Sequence, residues 1–87
     1  MSELTLMPLH ERREIIEDLV VRELKSALLM TDEEELPLEA GFFDLGLTSL
    51  KMSEVKTILE QKLECEIPTT VLFRRPTPEQ LIDHLTD

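Results

Sequence analysis

The sequence predicts an all-α domain: a small four-helix bundle with three main helices, a short third helix and a long structured loop between helices one and two. Two stretches, near residues 8–29 and 49–64, place apolar side chains at three- and four-residue spacing, as a helix with one buried face requires. A third stretch, near residues 78–85, opens with a capping pattern. The chain has 87 residues and 41% hydrophobic content, which suits one domain over residues 1–87.

The first helix is predicted from its apolar periodicity and from the residues at its start. Pro8 suits the first helical position, where its missing N–H is not needed, and the acids Glu11 and Glu14 lie at the positive end of the helix dipole. The predicted buried stripe consists of Leu9, Ile16, Leu19, Val20, Leu24 and Leu28.

The connection over residues 30–48 is long for so small a domain, and loops of this length are usually functional or disordered. Its acidic stretch DEEELPLEAGFF is not a calcium loop, because Pro37 stands where the turn needs glycine, and Leu36 and Phe43 replace oxygen ligands. Four apolar side chains instead predict an ordered loop held against the core: Phe42, Phe43, Leu45 and Leu47.

Local patterns also predict the remaining helices. The second helix ends before Pro68, and the run TTVLF at 69–73 has no partner strand, so a helical turn is favoured there. In the last helix Thr77 is the predicted N-cap, followed by Pro78 and by Gln80 in a capping-box position. The residues predicted to pack inward are Met52, Val55, Leu59, Leu63, Leu81, Ile82 and Leu85, together with Phe42, Phe43 and Phe73.

Composition excludes several classes of function. The formal net charge of −10, with no Trp or Tyr, argues against nucleic-acid binding. No apolar run is long enough to span a bilayer, and the N-terminus lacks the order of a signal peptide, so we expect no membrane association and a cytoplasmic location. The one cysteine, Cys65, has no internal disulfide partner and no basic cluster beside it that would activate its thiol.

Ser49, in the stretch GFFDLGLTSLKMSEV, could be a nucleophile, a helix cap or an attachment point. A catalytic serine needs a base, but His10 and His84 lie near opposite ends of the chain, and DLGLTSL is not the G-x-S-x-G elbow. Two histidines and one cysteine also show no metal-ligand spacing. We therefore expect no catalytic residue and no metal site.

Two interpretations of Ser49 remain from the residues alone. Thr48 or Ser49 can cap the second helix, as in an unmodified helical interaction module. Gly46, which can adopt backbone angles closed to other residues, and the leucines around it build a more elaborate turn than a cap requires. Such a turn exposes a hydroxyl at a helix N-terminus, where free N–H groups and the dipole favour an attached phosphate. An attachment point for a phosphodiester is the second interpretation.

Three motifs follow one another along the chain: GFFDLGLTSL, SEVK and IPTTVLFRRPTPEQLIDHL. Together they resemble the carrier protein family, the acyl carrier and peptidyl carrier domains, and most closely the acyl carriers of modular polyketide synthases. The resemblance implies that Ser49 receives 4′-phosphopantetheine from coenzyme A. The thiol of that group would carry acyl or aminoacyl groups as thioesters between enzymes, so the protein would be a substrate and shuttle rather than an enzyme.

The resemblance also implies partners and a product class. The expected partners are a magnesium-dependent phosphopantetheinyl transferase, an acyltransferase, and a ketosynthase or an adenylation or ligase loading enzyme, each met by a monomeric carrier in a transient complex. The expected role is a freestanding carrier of a starter or extender unit in polyketide or hybrid polyketide-peptide biosynthesis. The alternative within the family is a peptidyl carrier of nonribosomal peptide synthesis.

Two departures from the family pattern concern partner binding. The residue before the serine is often Asp and is Thr48 here, so a transferase contact through that carboxylate does not carry over. The second helix is acidic in many members but has no net charge over residues 49–64, where its lysines are expected to pair with glutamates; residues 1–48 hold twelve acids and four bases. The expected partner surface comprises Asp44, Leu45, Leu47, Thr48, Leu50, Lys51, Ser53, Glu54, Thr57, Arg74 and Arg75, with the acidic residues 32–35 and Glu39.

Overall fold

Four helices make up the fold in a computed structural model, which describes residues 8–74 and 76–86. They are α1 (Leu9–Leu28), α2 (Ser49–Leu63), α3 (Thr69–Arg74) and α4 (Pro78–Thr86). The prediction of three main helices, a short third helix and a long loop is confirmed, and each predicted helix end that is wrong differs by one residue. Over the described residues the chain contains no β-strand. Of the predicted domain over 1–87, residues 1–7, 75 and 87 lie outside the described residues.

The first helix begins one residue later than predicted. Pro8 has φ −55° and ψ 149°, which is extended, so it is the N-cap rather than the first helical residue. Its carbonyl accepts the first helical hydrogen bond from the Arg12 N–H at 3.0 Å. The helix ends at Leu28, and its C-cap, Leu29, takes the left-handed conformation with φ 59°. The N–H of Met30 then donates to the Lys25 carbonyl at 2.8 Å.

The core lies where α1 packs against α4 and α2. The predicted apolar stripes of α1, α2 and α4 supply most of it, which confirms their periodicity. One prediction in α1 is wrong: Leu9, in the first turn of the helix, is 58% exposed, whereas Ile16, Val20 and Leu24 of the same stripe are buried. The buried apolar residues are Ile16, Val20, Leu24, Leu36, Phe42, Leu47, Met52, Val55, Leu59, Leu63, Ile67, Leu72, Leu81 and Ile82.

The loop between α1 and α2 is ordered and held against the core, as predicted. Its backbone is tied to the start of α4 by hydrogen bonds from the Phe42 N–H to the Pro76 carbonyl, at 2.8 Å, and from the Glu79 N–H to the Leu38 carbonyl, at 3.0 Å. The Phe42 side chain is fully buried. The loop therefore approaches α2 with its last residues in a defined position.

Candidate functional site

The turn before α2 depends on Gly46. Its φ is +105°, a backbone conformation that residues with a Cβ rarely adopt, and this confirms the predicted role of the glycine. The turn is closed by hydrogen bonds from the Gly46 N–H to the Phe43 carbonyl and from the Leu47 N–H to the Phe42 carbonyl, both at 3.1 Å. Leu47 is buried, so it anchors the turn to the core. The next two residues are thereby delivered to the start of the helix.

The structure distinguishes between the two possible caps of α2. Thr48 has extended backbone angles, and its Oγ1 accepts a hydrogen bond from the Lys51 N–H at 3.1 Å, so Thr48 is the N-cap. Ser49 is the first residue of the helix and is exposed. No hydrogen bond between described residues involves the Ser49 hydroxyl. The cap is thus provided by one residue, and the next residue presents a free hydroxyl.

The two histidines and the cysteine lie outside the helix that begins at Ser49. His10 lies in the first turn of α1 and His84 in the last turn of α4, and neither makes a hydrogen bond to Ser49. No group of three or more His, Cys, Asp or Glu side chains forms a metal site within the described part of the chain. Cys65 is exposed beyond the end of α2, where desolvation and then the charge of Glu60 raise the pKa of its thiol and so disfavour the thiolate.

A groove opens beside Ser49, between α2, α3 and the loop. It encloses a cavity of about 90 Å³, and one end of it is formed by two aromatic rings, Phe43 and Phe73, whose centroids are 6.5 Å apart with an interplanar angle of 20°. These rings are 49% and 59% exposed, so the prediction that both pack in the core is wrong. They pack on each other across the loop and α3. The full lining consists of Phe42, Phe43, Ser49, Met52, Ser53, Lys56, Thr69, Leu72 and Phe73.

The α2 side of the groove carries an ion pair with a further role. Lys56 Nζ lies 3.1 Å from Glu60 Oε1, and the other carboxylate oxygen, Oε2, accepts the Ile67 N–H at 2.8 Å. The backbone hydrogen bond, followed by the one from Lys56, lowers the pKa of the Glu60 carboxyl. The predicted pairing of lysines with neighbouring glutamates is confirmed here and between Lys51 and Glu54, at 3.5 Å.

A lysine near the end of α2 pairs with a different helix. Lys62 Nζ lies 2.6 Å from Glu23 Oε1, on α1. The expectation that Lys62 pairs with a glutamate of its own helix is therefore wrong. The contact joins two helices, so residue spacing within α2 could not reveal it. It adds a polar link to the apolar packing between α1 and α2.

The match to a family model spans most of the chain. The model described as "Phosphopantetheine attachment site" matches residues 19–85. The chain belongs to this family. The family is defined by 4′-phosphopantetheine attached covalently to a serine, and its carrier domains are non-catalytic shuttles. No solved structure gives a significant match.

Curated relatives of this carrier domain are large polyketide synthases. The chain is 32% identical over 86% of its length to phenolphthiocerol synthesis polyketide synthase type I Pks15/1 of Mycobacterium marinum. It is 30% identical over 94% of its length to polyketide synthase GfsA of Streptomyces halstedii, and 34% identical over 88% of its length to polyketide synthase GfsB of the same organism. The chain spans only 4%, 1% and 1% of these three relatives.

The residues at the start of α2 fit the group that defines the family. The Ser49 hydroxyl is exposed and free of the capping hydrogen bond, which Thr48 makes instead. The N–H groups of Ser49 and Leu50 lie in the first turn, where no helical carbonyl is available to them, and they favour a negative charge at this end of the helix. These features are the ones that a phosphodiester on Ser49 Oγ would need: an exposed hydroxyl and backbone donors close to it.

The structure places the predicted partner residues around this site in different environments. Leu47 is buried, which corrects the expectation that it contacts a partner; Leu45 is half-buried, and Arg75 lies outside the described residues. Leu50 is 70% exposed, beside Ser49. The other predicted residues, all exposed, are Asp44, Thr48, Lys51, Ser53, Glu54, Thr57 and Arg74, and so are the loop acids 32–35 and Glu39. Among the described residues, no helix combines the length and apolar character needed to cross a bilayer.

Proposed function

We propose that this protein is an acyl carrier of polyketide biosynthesis that receives 4′-phosphopantetheine on Ser49. The observation that supports the proposal most directly is that two adjacent residues have separate roles at the start of α2: Thr48 caps the helix, and the Ser49 hydroxyl is exposed. The family match supports the cofactor, and the polyketide synthase relatives support the product class.

In this proposal Ser49 is the group acted on, and the base is supplied by the transferase. Ser49 Oγ attacks the phosphate of coenzyme A next to the pantetheine, its proton passes to the transferase, and the nucleotide part of coenzyme A leaves. The first-turn N–H groups of α2 favour the charge of the resulting phosphodiester. When bound, the group supplies a thiol that holds an acyl group as a thioester. The chain itself contributes position, because Gly46 and Thr48 fix the turn on which Ser49 stands.

The surface around Ser49 supports transient binding of several enzymes to a monomeric carrier. The proposed partners are a phosphopantetheinyl transferase, an acyltransferase, and a ketosynthase or an adenylation or ligase loading enzyme. Leu50 offers an exposed apolar contact, while Asp44 and the loop acids 32–35 offer negative charge to basic partners. The proposed cargo is a starter or extender unit, an aminoacyl group included. The need for coenzyme A and the single free cysteine support a cytoplasmic location.

Intact mass tests the attachment. The purified chain is incubated with coenzyme A, magnesium and a broad-specificity phosphopantetheinyl transferase, and we expect a gain of one phosphopantetheine. Ser49→Ala should abolish the gain, whereas Ser53→Ala, which removes the neighbouring exposed serine of α2, should keep it. A wild-type chain without any gain would support the rival function, a helical interaction module in which Ser49 carries nothing. A gain that persists in Ser49→Ala would place the group elsewhere.

The rate of the same reaction tests the contact surface. Truncation of an exposed apolar residue that becomes buried in a complex weakens binding by more than 1 kcal/mol at the strongest positions, so Leu50→Ala should slow the mass gain roughly tenfold at low carrier concentration. Leu9→Ala is the matched control, because Leu9 is also exposed but lies at the opposite end of α1 from Leu28, whose side chain approaches the turn before Ser49. Equal rates for the two variants would remove Leu50 from the contact surface.

A further inference from the structure

A polar stripe runs along α2 from the attachment serine. Ser49, Ser53, Lys56 and Glu60 follow at spacings of four, three and four residues, which places them on one face of the helix. The first three line the groove described above. The stripe thus leads from the attachment point into the groove, with hydroxyls first and an ammonium group beyond them.

Lys56 is held in place within this stripe. Its side chain is 22% exposed and that of Glu60 is 25% exposed, whereas the side chains of the other ion pair along α2, Lys51 and Glu54, are 50% and 54% exposed. An ammonium group has three donors, and the contact with Glu60 Oε1 uses one of them. Among the described residues that line the groove, Lys56 is the one cation. It therefore offers free donors at a fixed place.

Glu60 also fixes the opposite wall of the groove. Its Oε2 accepts the N–H of Ile67, a buried residue two positions before the first residue of α3. That helix contributes Thr69, Leu72 and Phe73 to the lining. One carboxylate thus orients the lysine on α2 and anchors the segment that leads into α3.

The chemistry of the groove suits a flexible chain with amide groups. Its walls are apolar at Phe42, Met52 and Leu72, and its α2 edge carries donors. Lys56 lies seven residues after Ser49, which is about 10 Å along the helix axis, and its ammonium group contacts Glu60, one turn further along the helix. A pantetheine chain that starts at Ser49 has its amide carbonyls in this more distant part.

We propose that Lys56, oriented by Glu60, is a positioning residue that donates a hydrogen bond to an amide carbonyl of the prosthetic arm and holds the arm against α2. This inference rests on the proposed attachment at Ser49. The cavity of about 90 Å³ takes only a short stretch of chain, so the thiol end stays accessible to partner enzymes. The arm exchanges between a position held in the groove and a free position, and the hydrogen bond from Lys56 raises the population of the held one.

The test uses the modified protein with an isotope-labelled arm. Labelled coenzyme A and the transferase are used to load the wild type, Lys56→Leu, Glu60→Gln and Lys62→Gln, and intact mass confirms the loading. NMR then records the displacement of the arm amide signals from those of free phosphopantetheine, together with nuclear Overhauser contacts to Met52 and Leu72. Lys62→Gln is the matched control, since Lys62 is also an ion-paired lysine of α2 but does not line the groove.

The expected result is a displaced amide spectrum in the wild type and in Lys62→Gln. In Lys56→Leu the displacement should fall roughly fivefold, as for the loss of one hydrogen bond. In Glu60→Gln it should fall by less, because the amide keeps an acceptor oxygen. Wild-type amide signals at the positions of free phosphopantetheine would overturn the inference. It would also be overturned if Lys56→Leu left the amide signals unchanged and moved only the phosphorus signal of the arm, recorded on the same samples. In both cases the attachment at Ser49 would stand. Absence of a mass gain in the wild type would overturn the proposed function and this inference with it.

Discussion

The contribution of the Thr48 capping hydrogen bond to the free energy of unfolding can be measured directly. Thr48→Ala removes the acceptor of the Lys51 N–H, which lies 3.1 Å from Oγ1, and leaves that donor to solvent. Thr48 is exposed, so no core packing is lost with its methyl group. The cost is therefore that of the cap alone, about 1 kcal/mol. For a domain of this size, that lowers the midpoint of thermal unfolding by about 4–8 °C.

Circular dichroism at 222 nm, followed through urea and thermal unfolding of the unmodified protein, measures this loss. Thr48→Ser retains a hydroxyl and should stay close to the wild type, and Thr48→Asp should equal or exceed it, since a carboxylate both caps the helix and interacts favourably with the dipole. The alanine variant should also gain phosphopantetheine more slowly, because Ser49 lies in the turn that the cap stabilises. An alanine variant as stable as the wild type would refute the assignment of Thr48 as the cap.

Two further predictions concern the glycine turn before α2 and the contacts that Glu60, near the end of α2, makes with Lys56 and Ile67. Gly46→Ala should destabilise the fold by about 1–2 kcal/mol through backbone strain alone, since the added Cβ would lie 3.7 Å from Leu28 Cδ2, an ordinary contact. In the same loop, the Cβ of Gly41→Ala would lie 3.1 Å from the movable Asp44 carboxylate and 3.7 Å from the Pro76 carbonyl oxygen, an ordinary contact, so this variant should cost less. A loss in urea midpoint of equal size for both glycines would contradict this account. The lowered pKa of Glu60 means that its charged form stabilises the fold above the ordinary carboxyl pKa, and that this contribution disappears as the pH falls through the lowered value. Glu60→Gln should therefore have a lower urea midpoint than the wild type at pH 7, and the two midpoints should converge in acid. A difference that stays constant at every pH would contradict this stabilising role of the Glu60 carboxylate.

Much of this fold could be predicted because its signals are local. Apolar spacing defined the stripes of α1, α2 and α4, and the Thr77 hydroxyl accepts the Gln80 N–H at 3.2 Å as the capping pattern predicted. The proposal that Ser49 is the attachment serine came from equally local features: a glycine, two flanking leucines and a helix start within a few residues. Such features depend on neighbours in the chain, so the sequence displays them directly.

The errors and omissions lie where distant segments meet. Helix-face spacing placed Leu9 on the apolar face of α1, but that spacing does not show whether another segment covers the residue, and in the fold it is exposed. Phe43 and Phe73 are thirty residues apart and were predicted as core, while the fold pairs them at the edge of a groove. No local pattern could indicate that pairing.

The order of the helices, the turn that presents Ser49 and the carrier family could all be predicted from the amino-acid sequence, because spacing, capping and motif are properties of short stretches. The fold was needed to show that Thr48 rather than Ser49 caps α2, that Leu47 is buried, and that Glu60 joins Lys56 to Ile67 beside a groove. Burial and hydrogen-bond partners depend on which surfaces cover a residue once the chain has closed on itself. The spacing of residues along one helix does not show which other segments will cover them.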